Sequence, residues 1–186
     1  IAALVPATQA LPDRSMTRQR RAQSLATQIL AWILTWFSAV HLGPVWAEDF
    51  GRLQMPVDCV IGAECSIQNF FDHDAGKGFR DYACGTLGYD GHDGTDFRLP
   101  NLAAMHRGVA VIAAAPGRVR AIRDGMADVD MRALEPEATK GREAGTAVVL
   151  THGPDWETQY SHLLRGSVRV RPGDQVQTGD VLGMIG

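Results

Sequence analysis

Short apolar runs separated by glycine turns fill the second half of the chain and limit what it can fold into. The runs Val109–Ala114 and Val119–Ile122 flank a Pro116-Gly117 turn, and TAVVLTHG and WETQYSHL are two further strand-like runs. The stretch SVRVRPGDQVQTGDVLGMIG adds two or three short strands with its own glycine turns. Short strands with turn residues at about eight- to twelve-residue intervals predict an all-β fold, an antiparallel β-sandwich or barrel.

Two segments depart from this rhythm. Residues 48–88 are rich in Gly, Asp and Cys with little regular period, which predicts an irregular N-terminal extension packed on a main domain at 89–186. Residues 124–143 form an acidic stretch longer than a hairpin needs, so we expect an exposed inserted loop near a cleft.

The first 47 residues have the three-part layout of a secretory signal peptide preceded by upstream residues. Three arginines follow Met16, residues 29–42 are largely apolar, and Ala47 offers a cleavage position. We therefore expect a true start at Met16 and an exported protein of the bacterial periplasm or cell envelope. The alternative is a retained membrane anchor, since the uncharged run at 22–47 approaches the ~20 residues of a spanning helix.

Charge and cysteine content limit the classes of binding partner and the cellular compartment that the chain fits. A formal net charge of −3 argues against nucleic-acid binding, which usually requires a basic chain. In an exported chain, Cys59, Cys65 and Cys84 favour a disulfide, and their odd number leaves one thiol free or paired beyond Gly186. The spacing does not determine which two cysteines pair.

The motif YDGHDGTDF places His92 and Asp96 four residues apart. A fully extended chain would separate their backbones by roughly 13 Å, while Gly91, Gly94 and Pro100 oppose a helix. A bend at Gly94 leading into a strand at Asp96 would let imidazole and carboxylate converge on one ion, and this mixed nitrogen and oxygen ligation suits zinc. The alternative is an ordinary glycine turn with two polar residues.

A second candidate element is ETQYSHLL. If it forms a strand, Thr158, Tyr160 and His162 lie on one face by the two-residue period. A histidine beside an aromatic hydroxyl can transfer protons or stabilise an oxyanion. The alternative is a histidine that only forms hydrogen bonds at the end of a buried strand.

These motifs occur in a characteristic order: HDGTD, GVAVIAAAPGRV, VVLTHG, TQYSHL and VRPGDQVQTGDVLGMIG. In this order they resemble the M23 family of zinc metallopeptidases, of the LytM and lysostaphin type, from about Tyr89 to Gly186. The upstream RDYACGTLGYDGHDGTDF is similar to a proteobacterial branch of that family.

The resemblance implies a β-sandwich and barrel-like hybrid core and a role for each matching residue. His92 and Asp96 would be zinc ligands, and His162 would be the catalytic histidine that stabilises the transition state. The substrate would be a peptide cross-link of bacterial peptidoglycan. Tyr160 would help to polarise the scissile carbonyl, and His152 would be structural.

The chain also departs from the family pattern. The family completes its site with an H-x-H motif that supplies the third zinc ligand, and the sequence reaches Gly186 before that motif, so we expect residues 1–186 alone to be inactive. The family typically has Cys, Asn and Cys where Ala144, Thr146 and Ser161 stand, consistent with a missing disulfide between strands.

Two other functions compete with the peptidase. A non-catalytic M23-like protein would bind peptidoglycan or activate an amidase, but such relatives usually lose the zinc ligands. A biotinyl or lipoyl carrier would explain VRPGDQVQTGDVLGMIG, but it needs a lysine at a hairpin tip, and neither Lys77 nor Lys140 has that position.

Overall fold

Eight short strands and one short helix follow one another in residues 52–130 and 139–186, the part of the chain that the computed structural model describes. Their bounds are β1 Ser66–Asn69, β2 Asp96–Arg98, α1 Leu102–Arg107, β3 Ala110–Ile112, β4 Gly117–Arg123, β5 Ala147–Thr151, β6 Glu157–Tyr160, β7 Gln175–Val176 and β8 Val181–Met184. The predicted all-β class is confirmed.

The strands form three antiparallel sheets. The largest has the order β6-β5-β4-β7, and β3 pairs with β8 and β1 with β2. An isolated bridge between Leu163 and Ile185 joins the residues that follow β6 to the end of β8. None of the sheets in the described part of the chain closes into a barrel.

The core lies between these sheets. In β5, Val148 and Leu150 are fully buried, because the apolar face of this β-branched strand points inward. In β4, Val119 is buried between exposed arginines until a register shift after Val119 interrupts the alternation. Among the described residues, Tyr160 is the largest fully buried side chain, and it packs in the same cluster.

The two apolar runs that flank the Pro116-Gly117 turn both form strands, but in different sheets. β3 pairs with β8, whereas β4 lies between β5 and β7. The residues between them, Ala113 to Ala115, are fully buried, so the chain passes through the core from one sheet to the other. Local turn signals specify the strands but not which strand each one pairs with.

The segment before residue 89 contacts the main sheets through backbone pairing. β1 pairs with β2, and Val57 forms a bridge with Val111 of β3. The disulfide joins Cys59 to Cys65 and therefore closes a small loop inside this segment, while Cys84 is a free, exposed thiol. The disulfide thus does not link the extension to the domain.

The helix α1 was not predicted from the sequence. Asn101 caps it, since its side-chain Oδ1 accepts a hydrogen bond from the backbone N–H of Ala104 at 2.9 Å, and Gly108 ends it with a φ of 84°. Its six residues are too few to show a clear helical period.

Some predictions fall outside the described residues. These predictions concern the signal-peptide segment, residues 1–47, and the central part of the inserted loop, residues 131–138. Across 52–130 and 139–186, the structure contains no helix with the length and apolarity to cross a bilayer.

Candidate active site

His92 lies in the turn that leads into β2. The chain bends at Gly94, and β2 begins at Asp96, as predicted. The left-handed residue of this turn is Gly91, with a φ of 75°. The His92 side chain is only 6% exposed, and its ring packs on the Tyr89 ring at a centroid distance of 4.5 Å. A buried imidazole is thus held in place by backbone geometry and by an aromatic neighbour.

The His92 ring and the Asp96 carboxylate face each other. Nε2 of His92 and Oδ2 of Asp96 are 3.6 Å apart, too far for a hydrogen bond, and Nε2 has no hydrogen-bond partner at all. Two ligand atoms of one tetrahedral zinc lie about 3.3 Å apart, given bonds of about 2.0–2.1 Å. The observed separation therefore fits a shared metal ion better than a direct bond.

Asp96 has a further contact that the sequence did not reveal. The side-chain amide of Asn69, at the end of β1, donates a hydrogen bond from Nδ2 to Oδ2 of Asp96 at 2.8 Å. Only the pairing of β1 with β2 brings these two residues together, and no local motif indicates it.

His162 follows β6 and has an unusual backbone. Its φ is 57°, a left-handed conformation that is rare for residues other than glycine and is often found at functional sites. Its N–H donates to the carbonyl of Ala144 at 3.0 Å, and its carbonyl accepts from the N–H of Gly186 at 3.0 Å. These bonds fix the backbone that carries the half-buried imidazole just after the strand.

The prediction that Thr158, Tyr160 and His162 lie on one face of a strand is wrong, because the backbone turns at His162. Thr158 and Tyr160 point into the core, while His162 lines a groove together with Gln159 and Ser161. The strand ends at Tyr160, so the two-residue alternation does not extend to His162.

The role that the resemblance implied for Tyr160 is also wrong. Its hydroxyl accepts a hydrogen bond from the N–H of Ala114 at 2.8 Å and shares another with the Thr158 hydroxyl at 3.0 Å, within a fully buried environment. Burial raises the pKa of this hydroxyl. Tyr160 is therefore a core residue and cannot contact a substrate in the groove.

His152 has the structural role that was predicted for it. Nδ1 of its ring lies 2.7 Å from the carbonyl of Pro116, and Nε2 lies 2.8 Å from the hydroxyl of Thr158. Burial lowers its pKa, so the ring is neutral near pH 7. A neutral imidazole provides the one donor and one acceptor that these two contacts use.

A groove of about 590 Å³ brings the candidate residues together. Its walls come from β1, the turn before β2, residues 143–144 and the end of β6. Its lining residues are Gln68, Asn69, Tyr89, His92, Asp93, Asp96, Glu143, Ala144, Gln159, Ser161 and His162. His162 and Glu143 also line a neighbouring cavity of about 250 Å³, which residues 126–129 of the inserted loop help to form.

The groove carries negative charge. Its lining includes the carboxylates of Asp93, Asp96 and Glu143, and no lysine or arginine is among these lining residues. Three acids on concave walls attract cations. The pKa of the Tyr89 hydroxyl is raised by burial and by Asp96 and Asp93, so it remains a hydrogen-bond donor at neutral pH.

Burial lowers the pKa of His162, and the carboxylate of Asp96 opposes this shift. Its imidazole is therefore neutral at neutral pH and can accept a proton. No group of three or more His, Cys, Asp or Glu side chains that could hold a metal ion occurs within the described ranges. Within these ranges, His92 and Asp96 therefore form a pair of candidate ligands and not a group of three.

Comparison with known proteins identifies the family of the chain. The family model described as peptidase family M23 matches residues 90–186, which is slightly more than half of the chain and contains His92, Asp96 and His162. No curated protein and no solved structure matches the chain. On the family match and the all-β fold, the chain belongs to peptidase family M23.

Proposed function

We propose that this protein is a zinc-dependent endopeptidase that hydrolyses the peptide cross-links of bacterial peptidoglycan. One observation carries the proposal: His92 presents a buried, unpartnered Nε2 at 3.6 Å from Asp96 Oδ2. A buried polar atom without a partner destabilises a fold by about 1–3 kcal/mol. A metal ion shared with Asp96 would remove that penalty.

His92 and Asp96 would hold the zinc ion. When bound, zinc supplies a Lewis acid for the scissile carbonyl and lowers the pKa of an attacking water. The resemblance to M23 peptidases assigns the third protein ligand to an H-x-H motif. A catalytic zinc site normally has three protein ligands and one open position.

The remaining steps belong to residues of the groove. The neutral His162 imidazole would accept a proton from the water, or donate a hydrogen bond to the carbonyl oxygen as negative charge develops on it. Tyr89, which is half-exposed at the groove wall, would donate a hydrogen bond to the peptide from its protonated hydroxyl. The acidic lining would favour peptides with amino groups over acidic peptides.

We also propose that the protein acts outside the cytoplasm. The Cys59–Cys65 disulfide supports this, because structural disulfides persist in oxidising compartments. The signal-peptide layout of the N-terminal segment is consistent with the same compartment.

A non-catalytic M23-like protein that binds peptidoglycan or activates an amidase is the second candidate. One observation favours it: the described residues lack a complete set of metal ligands. Against it, a binding protein has no use for an unpartnered buried His92 Nε2 beside a carboxylate.

Isolated peptidoglycan and the natural full-length gene product test the proposal. We expect new amino termini to appear in the digest, to disappear with a chelator and to return with added zinc. The His162→Ala variant should keep its zinc and lose turnover. Binding to peptidoglycan without any new amino terminus, with zinc present, would instead support the non-catalytic candidate.

A further inference from the structure

We propose that Asn69 is a positioning residue for the metal-binding carboxylate of Asp96, so that the segment before the M23 match is an integral part of the site. This inference rests on the zinc site proposed above. The family match begins at residue 90, and Asn69 lies 21 residues before that start. No motif assigns it a function.

The contact is directed at one oxygen. Asn69 Nδ2 donates to Asp96 Oδ2 at 2.8 Å, and this same Oδ2 lies 3.6 Å from the unpartnered Nε2 of His92. The bond therefore fixes the rotation of the carboxylate about its Cβ–Cγ axis and keeps Oδ2 facing His92. Hydrogen bonds of this kind, which orient ligand side chains, tune metal affinity strongly.

The chemistry of the donor also fits this role. An amide is neutral, so it orients the carboxylate without cancelling the negative charge that attracts a cation. A lysine or arginine at this position would form an ion pair with Asp96 and compete with the metal. Asn69 can instead keep Asp96 in place both before and after an ion binds.

The backbone places Asn69 where this bond requires it. β1 pairs with β2 so that Asn69 lies opposite Asp96, and the register shifts between Ile67 and Asn69. An irregularity in pairing redirects the side chain that follows it. The register shift thus lies next to Asn69, where the side-chain amide must reach the carboxylate of Asp96.

Asp72, in the same segment, forms hydrogen bonds with the backbone of the turn that carries His92, the other proposed ligand. Its N–H donates to the carbonyl of His92 at 2.8 Å, and its Oδ2 accepts from the N–H of Gly91 at 2.9 Å. The carboxylate of Asp72 accepts two further backbone hydrogen bonds, from Asp74 and Arg80. Both proposed ligands are therefore held by residues that precede the family match.

The test compares Asn69→Ala with Asn101→Ala in the natural full-length protein. Both variants remove one asparagine that forms a hydrogen bond, but Asn101 caps α1 and is not among the residues that line the groove. Zinc affinity is measured by competition with a chromogenic chelator, and the visible spectrum of the Co²⁺-substituted protein reports ligand geometry. We expect Asn69→Ala to bind zinc about 10–100-fold more weakly and to change the Co²⁺ spectrum.

Asn101→Ala should lower the melting temperature and leave zinc affinity and the Co²⁺ spectrum unchanged. If Asn69→Ala does not fold, Asn69→Ser provides the same comparison, because its hydroxyl is too short to span the gap. If the wild type binds zinc and Asn69→Ala matches it within about twofold with the same spectrum, the positioning role is refuted while the metal site stands. If the wild type binds no zinc, the proposed function itself fails.

Discussion

Two buried histidines should differ in how much stability the protein loses when each is replaced by leucine. His92 and His152 are 6% and 7% exposed, but both ring nitrogens of His152 have partners whereas Nε2 of His92 has none. In the absence of metal, His92→Leu removes an unsatisfied atom worth about 1–3 kcal/mol. It also loses the ring contact with Tyr89, worth about 0.5–1.5 kcal/mol.

We therefore expect the unfolding free energy of His92→Leu in chelator to stay within about 1 kcal/mol of the wild type or to exceed it. His152→Leu breaks both hydrogen bonds of a buried ring and leaves the carbonyl of Pro116 without its partner. We expect the unfolding free energy of this variant to fall by about 2–4 kcal/mol. Zinc at 100 times its dissociation constant should stabilise the wild type and His152→Leu by about 2.7 kcal/mol and His92→Leu by nothing.

Urea denaturation followed by tryptophan fluorescence, with chelator and then with zinc, measures all three proteins. A loss above about 2 kcal/mol for His92→Leu in chelator would show that its ring has a structural partner. Equal stabilisation of His92→Leu and wild type by zinc would show that the ion binds elsewhere. Either result would rule out an Nε2 of His92 that is left without a partner for a metal ion.

Three further predictions follow from other contacts. His162→Ala should reduce kcat about 10²–10⁴-fold with unchanged zinc content, measured by metal analysis and peptide hydrolysis; a parallel loss of zinc would contradict a role separate from metal binding. Backbone N–H groups, chiefly of Asp74 and Gly91, hold the pKa of Asp72 below its ordinary value. Asp72 thus stabilises the fold above about pH 4, and this contribution is lost as pH falls through the lowered pKa. The stability difference between wild type and Asp72→Asn in urea should therefore shrink as the pH falls below about 4, and a constant difference would argue against it. Replacing Cys59 and Cys65 with serine should lower the unfolding free energy in urea by about 2 kcal/mol, since the disulfide closes a short loop. An unchanged unfolding free energy would mean that the loop stays ordered without the bond.

The sequence predicted the elements of the fold better than their arrangement. Glycine turns and β-branched runs located β3 to β8, because these are local signals. The assignment of β3 and β4 to different sheets depends on pairing with β8, far along the chain, which local signals do not encode. The helix α1 is too short to have a detectable period.

The candidate site was predictable only in part. His92, Asp96 and His162 were identified by motif and line one groove, as the metal-site hypothesis requires. Tyr160 was placed wrongly, since the strand alternation stops before the left-handed His162. Asn69 and Asp72 were missed because they contact the site only through the pairing and turns of the preceding segment.

The proposed function requires that His92 and Asp96 jointly bind one divalent ion. Long-range ¹H–¹⁵N NMR of the imidazole groups measures this binding in the natural full-length protein titrated with zinc. We expect one equivalent of zinc to shift the Nε2 resonance of His92 and to leave the ring of His152 unaffected. Asp96→Ala should weaken or abolish the shift. A His92 resonance that stays unchanged at saturating zinc would show that His92 is not a zinc ligand.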